Sequence, residues 1–369
     1  MKRIITAGTI MVALAIVVGA ARAGEDSNPS RAPQRLSETG LYAEPSSGRI
    51  APGVRPFEPQ YPLWTDGAAK SRWIELPAGT AIDASNVNRW VFPVGTKLWK
   101  EFAFDGRRIE TRLLWRASSE EWVFATYVWN EEQTEAFLAP AGGIRNHYRI
   151  RGSDTYSIPS EPDCRACHES GGTPVLGFNA LQLSDDRDPL APHAKPLDET
   201  SMTLTRLDRL GLLAPRPPEL IENAPRIYAR SPRERAVFGY LSSNCGSCHN
   251  EHGPLASLGL YLQHGTTSLG WERAPAYSTS VDVAGDYVTP GVAPVESRRV
   301  APGLPEASAI LYRMSSRRPA SQMPPLGTAV VDEEALELIR AWIAEDLGLG
   351  HTKQKAQLSA DHAPRRASD

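Results

Sequence analysis

The sequence predicts an α+β chain of several domains: an antiparallel β-sandwich or jelly-roll-like module, then two mainly α-helical units, each organised around one Cys-x-x-Cys-His motif. Three observations predict it. Seven of the nine tryptophans lie between Tyr61 and Arg151, in short alternating segments with turn punctuation. Cys164-Arg165-Ala166-Cys167-His168 and Cys245-Gly246-Ser247-Cys248-His249 together use all four cysteines. Around these motifs the strand pattern gives way to helix start and stop signals.

The chain opens with Lys2 and Arg3, an apolar run from Ile4 to Ala20, and Ala21-Arg22-Ala23. This is the order of a secretory signal peptide, with cleavage expected after Ala23. The run is at the short edge of a membrane span, so an uncleaved anchor is the alternative. Removing residues 1–23 takes away Lys2, Arg3 and Arg22 and no acid, which leaves 37 basic against 43 acidic residues. Nothing in that balance points to nucleic acid. No later segment is long and apolar enough to span a membrane. The expected product is a soluble periplasmic protein of about 345 residues, enough for two or three domains.

Residues 24–60 are rich in Ser, Pro, Gly, Arg and Glu and are expected as a flexible leader. Residues 61–151 are the β module. Asp105-Gly106 suits the positive φ angles of a two-residue hairpin turn between strand-forming runs. With that turn Phe104 faces Arg107, Phe102 faces Ile109 and Leu98 faces Leu113. The other face then sets Trp99 opposite Arg112, a cation–π match, and Glu101 unfavourably opposite Glu110. Trp122 to Trp129 is a further strand. A tryptophan-rich sheet is a candidate site for a small-molecule or glycan ligand, although core packing is the plainer role of most such rings.

Residues 152–230 hold the first motif and are punctuated by Pro189, Pro192 and Pro196, with a short helix carrying Leu204, Leu207 and Leu210 that stops at Gly211. Residues 231–350 hold the second. Ser231-Pro232 begins a helix that runs into the motif, with Gly239 beside Tyr240. Asp332 caps a last helix with the inward stripe Leu336, Ile339, Ile343 and Leu347, with Val331 as its hydrophobic staple. Residues 351–369 are polar and expected as a disordered tail.

Each Cys-x-x-Cys-His is the attachment pattern of a c-type haem: two thiols for the porphyrin edge and a histidine for one face of the iron. A disulfide pair or a zinc site is the alternative, but zinc does not require a histidine after each second cysteine. Two covalently bound haem c groups are therefore expected, on Cys164 and Cys167 and on Cys245 and Cys248, with His168 and His249 as axial ligands. Export agrees with this chemistry. Met323, in Gln322-Met323-Pro324-Pro325-Leu326-Gly327, lies 74 residues after His249 and is the expected distal ligand of the second haem. For the first haem, His193 is the candidate distal ligand, in its proline-stiffened loop, with Met202 as the alternative and an open position as the third choice.

A glycine- and aromatic-bearing helix before the motif, crossed by an aromatic-bearing last helix, resembles class I cytochrome c. On that resemblance Gly239 lets the two helices approach closely, and the helical units are expected as two cytochrome c-like haem domains. The layout as a whole resembles a family of largely uncharacterised exported dihaem c-type cytochromes of Gram-negative bacteria. The resemblance rests on Tyr61-Pro62-Leu63-Trp64-Thr65-Asp66-Gly67-Ala68-Ala69-Lys70, on Pro93 to Phe102, on both motifs and on Met323 to Gly327. It implies architecture and brings no substrate.

The expected function is a relay of single electrons between periplasmic donor and acceptor proteins, with the β module docking a partner. The alternative is a dihaem enzyme of the cytochrome c peroxidase kind with an open catalytic haem. Against it, only 81 residues separate Cys164 from Cys245, and two similar large haem domains are absent.

Overall fold

The structure, a computed structural model, describes residues 31–44, 48–150, 154–266 and 274–348. The expected signal peptide and tail lie outside the described residues. Among the described residues no helix is long and apolar enough to cross a membrane.

The strands are β1 (Tyr42–Glu44), β2 (Arg49–Ile50), β3 (Arg55–Pro56), β4 (Ala69–Glu75), β5 (Ile82–Asp83), β6 (Lys97–Phe104), β7 (Arg107–Arg116), β8 (Trp122–Trp129), β9 (Ala136–Leu138), β10 (Ile144–Arg149), β11 (Thr155–Ile158) and β12 (Leu213–Ala214). The helices are α1 (Glu161–His168), α2 (Leu204–Arg209), α3 (Pro218–Glu222), α4 (Pro232–Asn244), α5 (Pro275–Ser278), α6 (Ala309–Ser315) and α7 (Glu333–Ala341), the last continuing through a wider turn over Trp342–Leu347.

The centre is one six-stranded antiparallel sheet in the order β3-β4-β6-β7-β8-β9. Its two faces alternate along each strand, as the pleat requires. On one face Trp99, Leu113, Ala125 and Tyr127 pack against Leu36, Leu41, Tyr42 and Val54. Leu36 and Leu41 are fully buried, so the described part of the expected leader is folded onto the sheet. On the other face Ile74, Leu98 and Leu114 pack against Phe57, Phe178, Leu183, Met202, Leu204 and Leu207.

The expected fold class is therefore overturned. The sheet is covered by chain segments with little regular structure, where a second large sheet was expected. Among the described residues there are no two α-helical haem domains. The helices there are short: α4 has 13 residues, and α7 with its wider turn runs only from Glu333 to Leu347. The first motif's segment has α1, α2 and α3, of 8, 6 and 5 residues, too short to enclose a core of their own. Its apolar residues are instead buried against the sheet, and β12 pairs in parallel with β5 of the β module. Nor do the motif residues converge as a metal cage: among the described residues no group of three or more His, Cys, Asp or Glu is placed to hold a metal ion.

The β6–β7 hairpin turns at Asp105-Gly106 with φ of +49° and +78°, as the dipeptide predicts. Its register differs. A bulge at Phe102/Ala103 slides the pairing by one, so Leu98 faces Leu114, Trp99 faces Leu113, Lys100 faces Arg112 and Phe102 faces Glu110. Glu101 now faces Thr111, so the unfavourable carboxylate pair does not form. Trp99 instead donates from Nε1 to Thr39 Oγ1 at 3.1 Å.

The second motif's segment has the firmer core. Ser231 caps α4 by accepting from Glu234 N, and Pro232 occupies its first turn. Phe238 meets Trp342 edge to face, with ring centres 5.8 Å apart, where α4 crosses the last helix. Asp332 caps α7 through Ala335 N at 3.2 Å. Gly239 does not serve this crossing. A side chain there would strike the ring of Tyr61, so the glycine admits the β module's tyrosine against α4.

Candidate functional site

The first motif is carried by α1, which is fixed at its start by a capping box. Ser160 Oγ accepts from Asp163 N at 3.2 Å, and Ser160 N donates to Asp163 Oδ2 at 3.0 Å. The helix lies on β8, with Arg165 stacked over Phe124 at 5.0 Å and His168 5.4 Å from the same ring. The second motif continues α4 directly. Gly246 N donates to Leu241 O at 3.0 Å and His249 N to Cys245 O at 2.8 Å, which winds the motif as one further turn.

The two motifs touch each other. Asn250, 2 % exposed, sends its side-chain amide to Ser170 O at 3.1 Å, Gly246 O at 3.0 Å and Ser247 O at 2.9 Å, binding the end of one motif to the chain just after the other. The Cys167 thiol is within hydrogen-bonding reach of Cys248, which lowers the pKa of the Cys248 thiol and raises that of Cys167. Burial pushes Cys245 up to about 12.

All four cysteines, His168, His249 and Met323 line a single cavity of about 1440 Å3. That exceeds the roughly 300–1,000 Å3 usual for one small-molecule site. His168 Nδ1 meets Pro174 O at 2.6 Å, which leaves Nε2 as its free nitrogen. Burial is the first cause that lowers its pKa to about 4, so the ring is neutral near pH 7. Burial also lowers His249, whose Nδ1 is enclosed without a partner. A neutral imidazole held through its other nitrogen by a carbonyl is the arrangement a metal-bound histidine uses. The donor set and the size of the cavity thus fit c-type haem, and a single tetrahedral ion has no cage among the described residues.

No family model, no curated protein and no solved structure matches the chain.

The two candidate distal residues for the first motif are not on the cavity. His193 stacks on Trp64 at 4.8 Å, with Nε2 2.9 Å from Asp332 Oδ1 and Nδ1 3.2 Å from Glu334 Oε2, in a smaller neighbouring pocket. Met202, 2 % exposed, is core, with its N–H donated to Pro56 O at 2.8 Å. The proline-flanked loop sets His193 at the start of α7.

Residues that the sequence pattern does not single out organise the site. Asp66 Oδ1 accepts from Ala329 N and Val330 N, each at 2.8 Å, and so ties the β module to the loop that carries Met323. Trp64 N donates to Asn244 Oδ1 at 2.7 Å beside the second motif. Met323 N donates to Arg313 O at 3.0 Å, and Gln322 Nε2 spans the loop to Thr328 O at 2.9 Å. A signal for the first two is present in Trp64-Thr65-Asp66-Gly67, where polar side chains sit among apolar neighbours, but their partners are more than 170 positions away.

Proposed function

We propose that the protein is an exported dihaem c-type cytochrome that relays single electrons between periplasmic partners, as its resemblance to that family implies. One observation carries the reading: both Cys-x-x-Cys-His sets and Met323 line one cavity, and the motifs meet at Asn250 and Ser170. Haem, when bound, supplies a one-electron redox centre. The chain's own residues divide the remaining work. Cys164, Cys167, Cys245 and Cys248 hold the groups covalently. Pro174 O orients His168, burial lowers the pKa of both motif histidines, and the Asp66 bonds steady the Met323 loop. The adjacent motifs would hold the two groups near each other, where haem would supply one-electron exchange within the molecule.

The test is the intact mass of protein made in a strain competent for cytochrome c maturation. Two covalent haems on a chain beginning near Gly24 are expected, and a bare-chain mass would sink the reading. Met323→Ala should then remove the weak red-edge charge-transfer band of a His/Met haem and lower that haem's potential. Lost stability with band and potential intact would assign Met323 to packing.

A second reading, a dihaem enzyme with one open position, is favoured by the placement of His193 and Met202 away from the cavity. Rapid binding of cyanide or peroxide to a high-spin haem in the unmutated protein would put it first.

A further inference from the structure

Three basic side chains stand side by side across the sheet under the first motif; burial, and then the charges of Arg72, Lys70 and Arg112, hold the pKa of Lys100 well below the usual lysine value. The register puts Arg72 opposite Lys100 and Lys100 opposite Arg112, all on one face, and all three line the large cavity. Like charges directly opposite each other oppose pairing of the strands, unless each has a counter-charge. Two have one. Arg72 Nη1 pairs with Glu58 Oε2 at 2.8 Å, and Arg112 Nη2 with Glu110 Oε1 at 2.6 Å and Tyr156 Oη at 3.1 Å. Lys195, the next cation, already shares Glu58 at 3.7 Å, and Lys70 donates to Ala68 O at 3.1 Å.

Lys100 alone in the row makes no hydrogen bond and no ion pair among the described residues. Its ammonium lies 4.9 Å from the centre of the Phe102 ring, which Arg112 also covers at 4.3 Å. An ammonium taken from bulk water and left unpaired among other cations is costly, and a carboxylate or similar anion removes that cost through charge-assisted hydrogen bonds. Glu58 and Glu110 are both engaged elsewhere. Lys100 lines the cavity, so a complementary anion can reach it from there.

We propose that Lys100, flanked by Arg72 and Arg112, is an anion-receiving point on the cavity wall that binds a carboxylate or an oxyanion of similar size. The source is either a propionate of the cavity's own haem, in which case the inference rests on the proposed function, or a free small acid, in which case it does not. Covalent haem is established first by mass, so failure of that reading is seen separately from failure of this one.

The test compares holoprotein with Lys100→Met, which keeps the stem and removes the charge, and Lys100→Arg, which keeps the charge; Lys100→Gln repeats it should the methionine variant not fold. Formate and acetate are titrated calorimetrically at fixed ionic strength, and the haem potentials are measured in parallel. If a propionate is the anion, the unmutated protein binds neither acid, and Lys100→Met lowers one potential while Lys100→Arg keeps it. If a free acid is the anion, the unmutated protein binds formate or acetate saturably, Lys100→Met weakens this at least tenfold, and Lys100→Arg restores it. Unchanged potentials together with no acid binding overturn the proposal. So does conversion of one haem from low to high spin in Lys100→Met, which would make Lys100 an iron ligand instead.

Discussion

Single side chains in this molecule do work that their residue types do not announce. His264 lies flat on Phe238 with ring centres 5.3 Å apart, and its Nε2 is buried without a partner. Burial lowers its pKa to about 4, against an ordinary value near 6.5. Between those values the unfolded chain binds the extra proton, so this contribution to stability is whole above about pH 6.5 and is lost as pH falls toward 4. Urea denaturation should show a loss of about 2 kcal/mol from this residue between pH 7 and pH 5. His264→Phe, which keeps the stack and removes the proton site, should flatten the pH dependence by that amount; an unchanged slope would place the titrating group elsewhere. Gly239 is a second case. Its helix position reads as a seam between helices, yet the space it leaves is filled by Tyr61, whose hydroxyl donates to Asp188 Oδ2 at 3.0 Å.

At the scale of elements, α1 and α4 are held in place by the chain just beyond their C-terminal ends. Each ends in its motif, and Asn250 gathers the carbonyls of both ends with one amide. Replacing it by leucine leaves those buried carbonyls without a donor, at a cost of about 2 kcal/mol. Asn250→Leu should lower the denaturation midpoint accordingly and, on the proposed dihaem reading, should weaken magnetic coupling between the two haems in electron paramagnetic resonance by loosening the junction. A stability loss with coupling unchanged would confine Asn250 to packing. The β6–β7 hairpin makes the same point for strands. A one-residue bulge moves Lys100 from a place opposite Thr111 to one opposite Arg112, and so builds the cationic row.

The whole molecule brings two sulfur pairs, 81 positions apart in sequence, onto one cavity wall. Contact between Cys167 and Cys248 lowers the latter's pKa below the usual thiol value, which favours its reactive thiolate. Chain carrying no haem should therefore, in air, oxidise across the motifs. Non-reducing peptide mapping should recover a Cys167–Cys248 bond, whereas dominant Cys164–Cys167 and Cys245–Cys248 bonds would show that the motifs close on themselves before they meet. The cavity is enclosed by the sheet face, the segment after His168 and the Met323 loop together, so none of these pieces supplies the site alone.

Local pattern was enough for much of this. Cys-x-x-Cys-His, the Asp105-Gly106 turn, the strand from Trp122 to Trp129, the Asp332 cap and the stripe on α7 all depend on neighbours within a few positions, and such signals survive in a linear reading. Tertiary contact decided the rest. Segments with little helix or strand signal, residues 31–44, 48–60 and 169–203, cover the sheet because burial of Leu36, Leu41, Phe178 and Leu183 needs only a complementary surface and not a regular backbone. His193 has the loop setting of an iron ligand in the sequence, and its neighbours in space are Trp64, Asp332 and Glu334 instead. Lys100 has no special neighbour along its own strand, and its register partners across the sheet are two arginines. Partners of this kind lie on strands and loops distant in sequence, and only closure of the chain determines which charges and rings end up side by side.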